Sequence, residues 1–89
     1  MIRKHAVVHG YVQGVGFRYY ARAEASHLGL GGYALNLPNG DVEIEIEGTE
    51  ASVRRMLTWL AHGSSSAIVR SLDVSDVPPT GDTEFVIAF

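Results

Sequence analysis

The stretch Gly10-Tyr11-Val12-Gln13-Gly14-Val15-Gly16-Phe17-Arg18 joins a strand-like segment to a helix-like one and carries the residue types needed to bind an anion. The first four N–H groups of a helix lack internal partners and normally recruit Ser, Thr, Asp or Asn as a cap. None of these types occurs between Val7 and Ala25. Arg18 also puts a cation at the helix end whose dipole is already positive. Unpartnered amides, two closely spaced glycines and an arginine on one loop make sense together as a nest for an oxyanion, and phosphate is the natural occupant. Gly14 and Gly16 let the backbone curl and approach a ligand with no Cβ in the way.

The elements around this loop follow from periodicity. Arg3 to Val12 reads as a strand rich in Val and Tyr. Phe17, Ala21, Ala25 and Leu28 then recur at helical spacing, with Gly29 as terminator. After Gly31-Gly32, a short strand over Tyr33 to Leu37 leads into the turn Pro38-Asn39-Gly40. Asp41 to Glu47 alternates, with Val42, Ile44 and Ile46 on one face, which completes a hairpin. Thr49 suits the cap of a second helix, Glu50 its first turn, and Val53, Met56, Leu57 and Leu60 its apolar stripe, up to Gly63. Beyond a polar loop at Ser64 to Ser66, Ile68 to Val77 reads as a fourth strand and Pro78 to Asp82 as a surface turn. Phe85, Ile87 and Phe89 alternate in a short last strand. The order β-α-β-β-α-β plus a terminal strand predicts an α+β sandwich, a mixed or antiparallel sheet with two helices on one face.

Composition narrows the classes. The chain has 89 residues, 46% of them hydrophobic and 19% charged, which fits one compact domain and not a disordered segment. A net charge of −3, with Lys4 and six arginines as the cations, offers no electrostatic footprint for nucleic acid. Without cysteine there is no disulfide, zinc-thiolate site or thiol nucleophile. No apolar run approaches the roughly 20 residues of a membrane span, and no signal segment opens the chain. A cytoplasmic monomer is the expectation, given the small size and the lack of an obvious apolar patch.

The nine residues Gly10 to Arg18 resemble the signature of the acylphosphatase family, and Gly32-Tyr33-Ala34-Leu35-Asn36-Leu37-Pro38-Asn39-Gly40-Asp41-Val42 resembles its second signature. The similarity runs over essentially the whole chain, in the right order. It implies a ferredoxin-like sandwich and hydrolysis of acyl phosphates with neither metal nor cofactor. The implied site is the backbone of Gln13, Gly14, Val15, Gly16, Phe17 and Arg18, with Arg18 and Asn36 as the catalytic side chains. The substrate is then a small acyl phosphate, not a nucleic acid or a membrane. Four features depart from the pattern: Tyr33 stands where tryptophan is common, Ala34 where valine is usual, and Leu35 where a polar or basic residue often sits. Serines fill Ser64 to Ser66, where the family usually carries prolines. The family fold also heads large carbamoyl-transferring maturation enzymes. Nothing else of such an enzyme is encoded here, so one stand-alone domain over residues 1–89 is expected.

Chemistry explains why so few groups suffice. The leaving group of an acyl phosphate is a carboxylate, a weak base that departs without protonation. What remains is to hold the phosphoryl group, offset its charge and place a water in line with the breaking bond. Arg18 offers a planar, permanently charged fork matched to phosphate. Asn36, the counterpart of the family's asparagine, cannot act as a strong base but can orient a water. A phosphate oxygen then takes up the water's proton. No covalent phosphoenzyme is expected, because the loop holds no Cys, Ser or His.

Other chemistry-bearing residues have plainer readings. His5 and His9 share a strand face about 13 Å apart, too far for a common metal. His27 and His62 fall at helix ends, Asn39 in the turn, and Glu43, Glu45 and Glu47 on the solvated face of strand three. Trp59 and Met56 read as core packing. Two other functions remain open from the residues: a catalytically weak anion-binding regulatory module on the same fold, and a single-stranded RNA binder of the same topology. The RNA reading is disfavoured because strand three is acidic and lacks aromatics.

Overall fold

A computed structural model describes residues 1–89. The elements are β1 (Ile2–Tyr11), α1 (Phe17–His27), β2 (Gly31–Asn36), β3 (Val42–Gly48), α2 (Glu50–His62), β4 (Ile68–Val77) and β5 (Phe85–Ala88). The strands form one sheet in the order β4-β1-β3-β2-β5. All neighbours are antiparallel except β2 and β5, so the sheet is mixed. This is the α+β arrangement that the order of elements predicted, and the ferredoxin-like sandwich that the family resemblance implied.

The core follows from alternation. Ala6 and Val8 of β1 lie opposite Ile44 and Val42 of β3, and Ala34 of β2 lies opposite Ile44 from the other side. These residues and Ile46 are fully buried beneath the helices. α1 lowers Phe17, Ala21 and Ala25 onto β2 and β5, while α2 lowers Val53, Met56 and Leu60 onto β1, β3 and β4. Both stripes keep the spacing of three or four residues that puts side chains on one helix face. Leu28 and Leu57 pack only partly buried at the margin of this core.

Two readings needed adjustment. β2 starts at Gly31, two residues earlier than the sequence predicted, because both glycines lie inside the strand and not ahead of it. A Cβ on Gly31 would collide with the carbonyl of Asp82 on the approaching chain, so glycine marks a close passage here instead of a break. The second correction concerns the expected wet face of β3. Glu47 is only 5% exposed and Arg3, opposite it on β1, only 4%. The Arg3 guanidinium donates to Glu45 (2.6 Å), Glu47 (3.0 Å) and Asp82 (2.9 Å). Residues 78–82 are exposed as a turn should be, yet their inner edge covers this face: the backbone N–H groups of Thr80 (2.7 Å) and Gly81 (2.8 Å) donate to Glu47. The Thr80 amide, working against burial and joined by Arg3, holds the Glu47 carboxyl below its usual range. Glu45 and Glu43 accept from the Tyr33 hydroxyl, whose pKa burial and these two carboxylates push well above that of an ordinary phenol.

Candidate active site

Residues 12–16 connect β1 to α1 outside regular structure, at the end of the strand where β1 shifts register against β4 between His9 and Gly10. Gly14 has φ +74° and Gly16, the N-cap position of α1, φ +75°, a left-handed region that side-chain-bearing residues enter only at a cost. No side chain caps α1 and no acidic residue stands in its first turn. α2 is built the other way, with Thr49 Oγ1 accepting from Ser52 N at 3.2 Å and Glu50 in its first turn. None of the backbone N–H groups from Gln13 to Arg18 donates to a protein carbonyl; the first bond at this end of α1 runs from Tyr20 N to Gly16 O (3.2 Å).

Most of this segment borders a hollow of about 130 Å³, lined by Val12, Gln13, Gly14, Gly16, Phe17, Arg18, Tyr19 and Asn36. A water takes about 30 Å³ of liquid, so the space admits a phosphoryl group together with a water. Asn36 reaches it from the last position of β2, opposite Val42. Of the sequence-predicted site residues, only Val15 does not line the hollow; it is partly buried against the core. Phe17 is buried beneath it, its ring 5.5 Å from that of Trp59, which fixes the first turn of α1 by packing. A larger hollow of about 390 Å³ lies beside Gly32, Tyr33 and residues 81–84, but it borders neither the loop nor Arg18.

Three partners of the site were not read from the sequence. Arg18 Nη1 donates to the carbonyl of Ala88 (3.4 Å), and its Cζ lies 5.3 Å from the centre of the Phe89 ring, so the end of β5 holds the guanidinium. The side chain of Gln13, expected to serve only through its backbone, donates from Nε2 to the carbonyls of Leu37 and Asp41, both at 2.8 Å. His9 lies between two carboxylates, with Nδ1 2.8 Å from Asp41 and Nε2 2.8 Å from Asp73. Its pKa is raised, by Asp73 first and then by Asp41, against partial burial. The alternation in β1 shows His9 sharing a face with Arg3 and His5, but only the tertiary pairing with β4 brings Asp73 to it. His5 sits instead beside Glu43 at 3.5 Å. Asn39 acts in the turn, accepting from Asp41 N and donating to its carboxylate, each at 3.0 Å. His27 and His62 are the last residues of their helices.

An uncapped helix start with free amides, one arginine and one strand-end asparagine thus surround a small hollow on a ferredoxin-like α+β domain. Comparison with known proteins gives the class a family. The acylphosphatase family model matches residues 4–87. An acylphosphatase of Aeromonas salmonicida is 53% identical over 75 residues, spanning 82% of this chain and 83% of that protein. The crystal structure of acylphosphatase from Bacillus subtilis superposes with a TM-score of 0.95 at 33% identity, covering all of both chains. An acylphosphatase structure from Coxiella burnetii gives 0.93 at 32% identity, over 98% of this chain and 92% of that one. The chain belongs to the acylphosphatase family.

Proposed function

We propose that the protein hydrolyses the carboxyl–phosphate bond of small acyl phosphates, releasing a carboxylate and orthophosphate, with no metal or cofactor. The observation that carries this reading is one hollow lined by Gln13, Gly14, Gly16, Phe17, Arg18 and Asn36, beside a run of backbone N–H groups with no carbonyl partner. The backbone N–H groups from Gln13 to Arg18 cradle the phosphoryl oxygens, aided by the positive end of the α1 dipole. Arg18 adds a fork of charged donors that offsets the negative charge of the phosphoryl group. Asn36 orients a water for in-line attack on phosphorus. The new P–O bond forms as the bond to the carboxylate oxygen breaks, and the water's proton passes to a phosphate oxygen. A carboxylate needs no acid to leave, so no residue is assigned that role.

The proposal places the protein as a single-domain monomer in the cytoplasm, acting on a small molecule and not on nucleic acid. Its net charge of −3 and lack of cysteine support that placement. Separately, no helix is long and apolar enough to cross a membrane.

The test is turnover of a simple aromatic acyl phosphate. Arg18→Ala should abolish it, since each lost electrostatic donor lowers the rate by about 10²–10³. Asn36→Ala should reduce kcat strongly while orthophosphate still binds. Binding of orthophosphate by the wild type with no turnover would replace the hydrolase with an anion-binding module.

A further inference from the structure

In the sheet β3 separates β1 from β2, so the phosphate loop and Asn36 stand on strands about 10 Å apart. No backbone hydrogen bond joins residues 12–16 to residues 36–41. From the loop itself, the Gln13 side chain crosses the gap. Gln13 Nε2 uses both of its hydrogens, on Leu37 O and Asp41 O, each at 2.8 Å. Those two carbonyls close the β2–β3 turn: Leu37 N donates to Asp41 O (2.9 Å) and Gly40 N to Leu37 O (3.2 Å). The turn is braced further, because the Asp41 carboxylate receives Asn39 Nδ2 at 3.0 Å and faces His9 Nδ1 at 2.8 Å. Leu37 directly follows Asn36. Gln13 therefore grips a rigid turn at the point where it carries the proposed water-orienting residue.

We infer that the Gln13 side chain is a positioning residue that sets the distance between the phosphate cradle and Asn36. The inference rests on the hydrolase reading above and adds a role that the backbone of Gln13 does not supply. In-line attack needs the water and phosphorus aligned within a few tenths of an ångström, and a misplacement of about 1 Å lowers rates by roughly 10²-fold. The cradle amides and Arg18 stay in place without the Gln13 side-chain carboxamide, so phosphate binding does not depend on it. Rate does.

The experiment is a double-mutant cycle in the full chain. Gln13→Leu keeps the bulk and removes both donors. Its kcat should fall about 10- to 100-fold, while inhibition by orthophosphate changes less than about 3-fold. In the Asn36→Ala background the same substitution should change kcat less than about 3-fold, because the residue it positions is gone. Multiplication of the two losses in the double variant would overturn the inference, as would wild-type kcat in Gln13→Leu. Gln13→Glu guards against a folding artefact: its carboxylate cannot donate to either carbonyl, but the protonated acid regains one donor. Its kcat relative to wild type should recover on acidification, and a flat ratio counts against the strut. An inactive wild type would refute the hydrolase reading separately. The strut is then read from the NMR signals of the Asn36 side-chain NH₂, which should shift or broaden in Gln13→Leu and overturn the idea if unchanged.

Discussion

Phe89→Ala isolates the contribution of an exposed ring that lies against the proposed phosphate-binding arginine. Phe89 is 99% exposed, and its ring centre lies 5.3 Å from Arg18 Cζ. An exposed cation–π contact is worth about 0.5–1 kcal/mol. At 1.36 kcal/mol per tenfold, that is about a 2- to 5-fold loss. The loss stays small because the Ala88 carbonyl remains to hold Nη1 at 3.4 Å. It should fall on kcat/KM for a benzoyl-type phosphate and, by a similar factor, on inhibition by orthophosphate. Stability should not follow, since so exposed a ring has almost no buried surface to lose; the Tm should move by no more than about 1 °C. Phe89→Trp, with the better cationic face, should match or exceed the wild type. Steady-state kinetics at low salt, with thermal melts on the same samples, decide the matter. The reasoning fails if Phe89→Ala is kinetically silent, or if it lowers residual activity equally in an Arg18→Ala background, where no guanidinium remains for the ring to hold.

Other outcomes follow from the same geometry. His9 binds its proton more tightly in the folded state, so its contribution to stability is complete below about pH 6.5 and lost as pH rises through the raised folded value; urea midpoints should fall between about pH 6 and 8.5 in the wild type and fall less in His9→Gln. Glu47 is shifted the opposite way, so its contribution is present above the ordinary carboxylate range and lost as pH falls through the depressed value; Glu47→Gln should flatten the acid limb of the same urea series. Gly16→Ala meets no clash, its Cβ standing 3.5 Å from Tyr20 Cε2, but it keeps φ +75° and should destabilise by about 1–2 kcal/mol in chemical unfolding. Turnover should be unchanged by EDTA and inhibited competitively by orthophosphate, because the proposed site uses only amides, one guanidinium and one carboxamide; a rate abolished by EDTA and restored by a divalent cation would contradict it.

The parts legible in the sequence were those governed by short-range rules. Alternation at Val42, Ile44 and Ile46 and helical spacing at Phe17, Ala21 and Ala25 reach the right elements and the right buried face, and Thr49 is the cap it resembled. The loop was legible through a violation, an absence of capping residues that the free amides now account for. What stayed hidden depended on partners far along the chain. The period-2 pattern marks Glu47 as facing away from the core, which it does, but cannot say that residues 78–82 fold across that face and that Arg3 waits opposite. Gly31 looked like punctuation because its reason is the backbone at Asp82, more than fifty positions later. The Gln13 side chain reads as one more polar loop residue until the β2–β3 turn is placed beneath it.

The two helices start on the same side of one sheet by opposite means, and the difference can be weighed. Omitting a side-chain cap forgoes about 1 kcal/mol. Phe17, the first residue of α1, is 1% exposed and pairs with Trp59 across to α2, and such an aromatic contact adds about 0.5–1.5 kcal/mol beyond its buried area. Packing therefore offsets what capping would have contributed, and it does so from beneath the backbone, leaving the upper side open. A Ser, Thr or Asp at the N-cap would have to leave φ +75° for the extended region and aim its oxygen at the second or third helical amide. That occupies one of the donors the structure leaves without a partner. α1 is anchored by an aromatic where α2 is anchored by a hydroxyl because only the first arrangement holds a helix start in place with its amides still free.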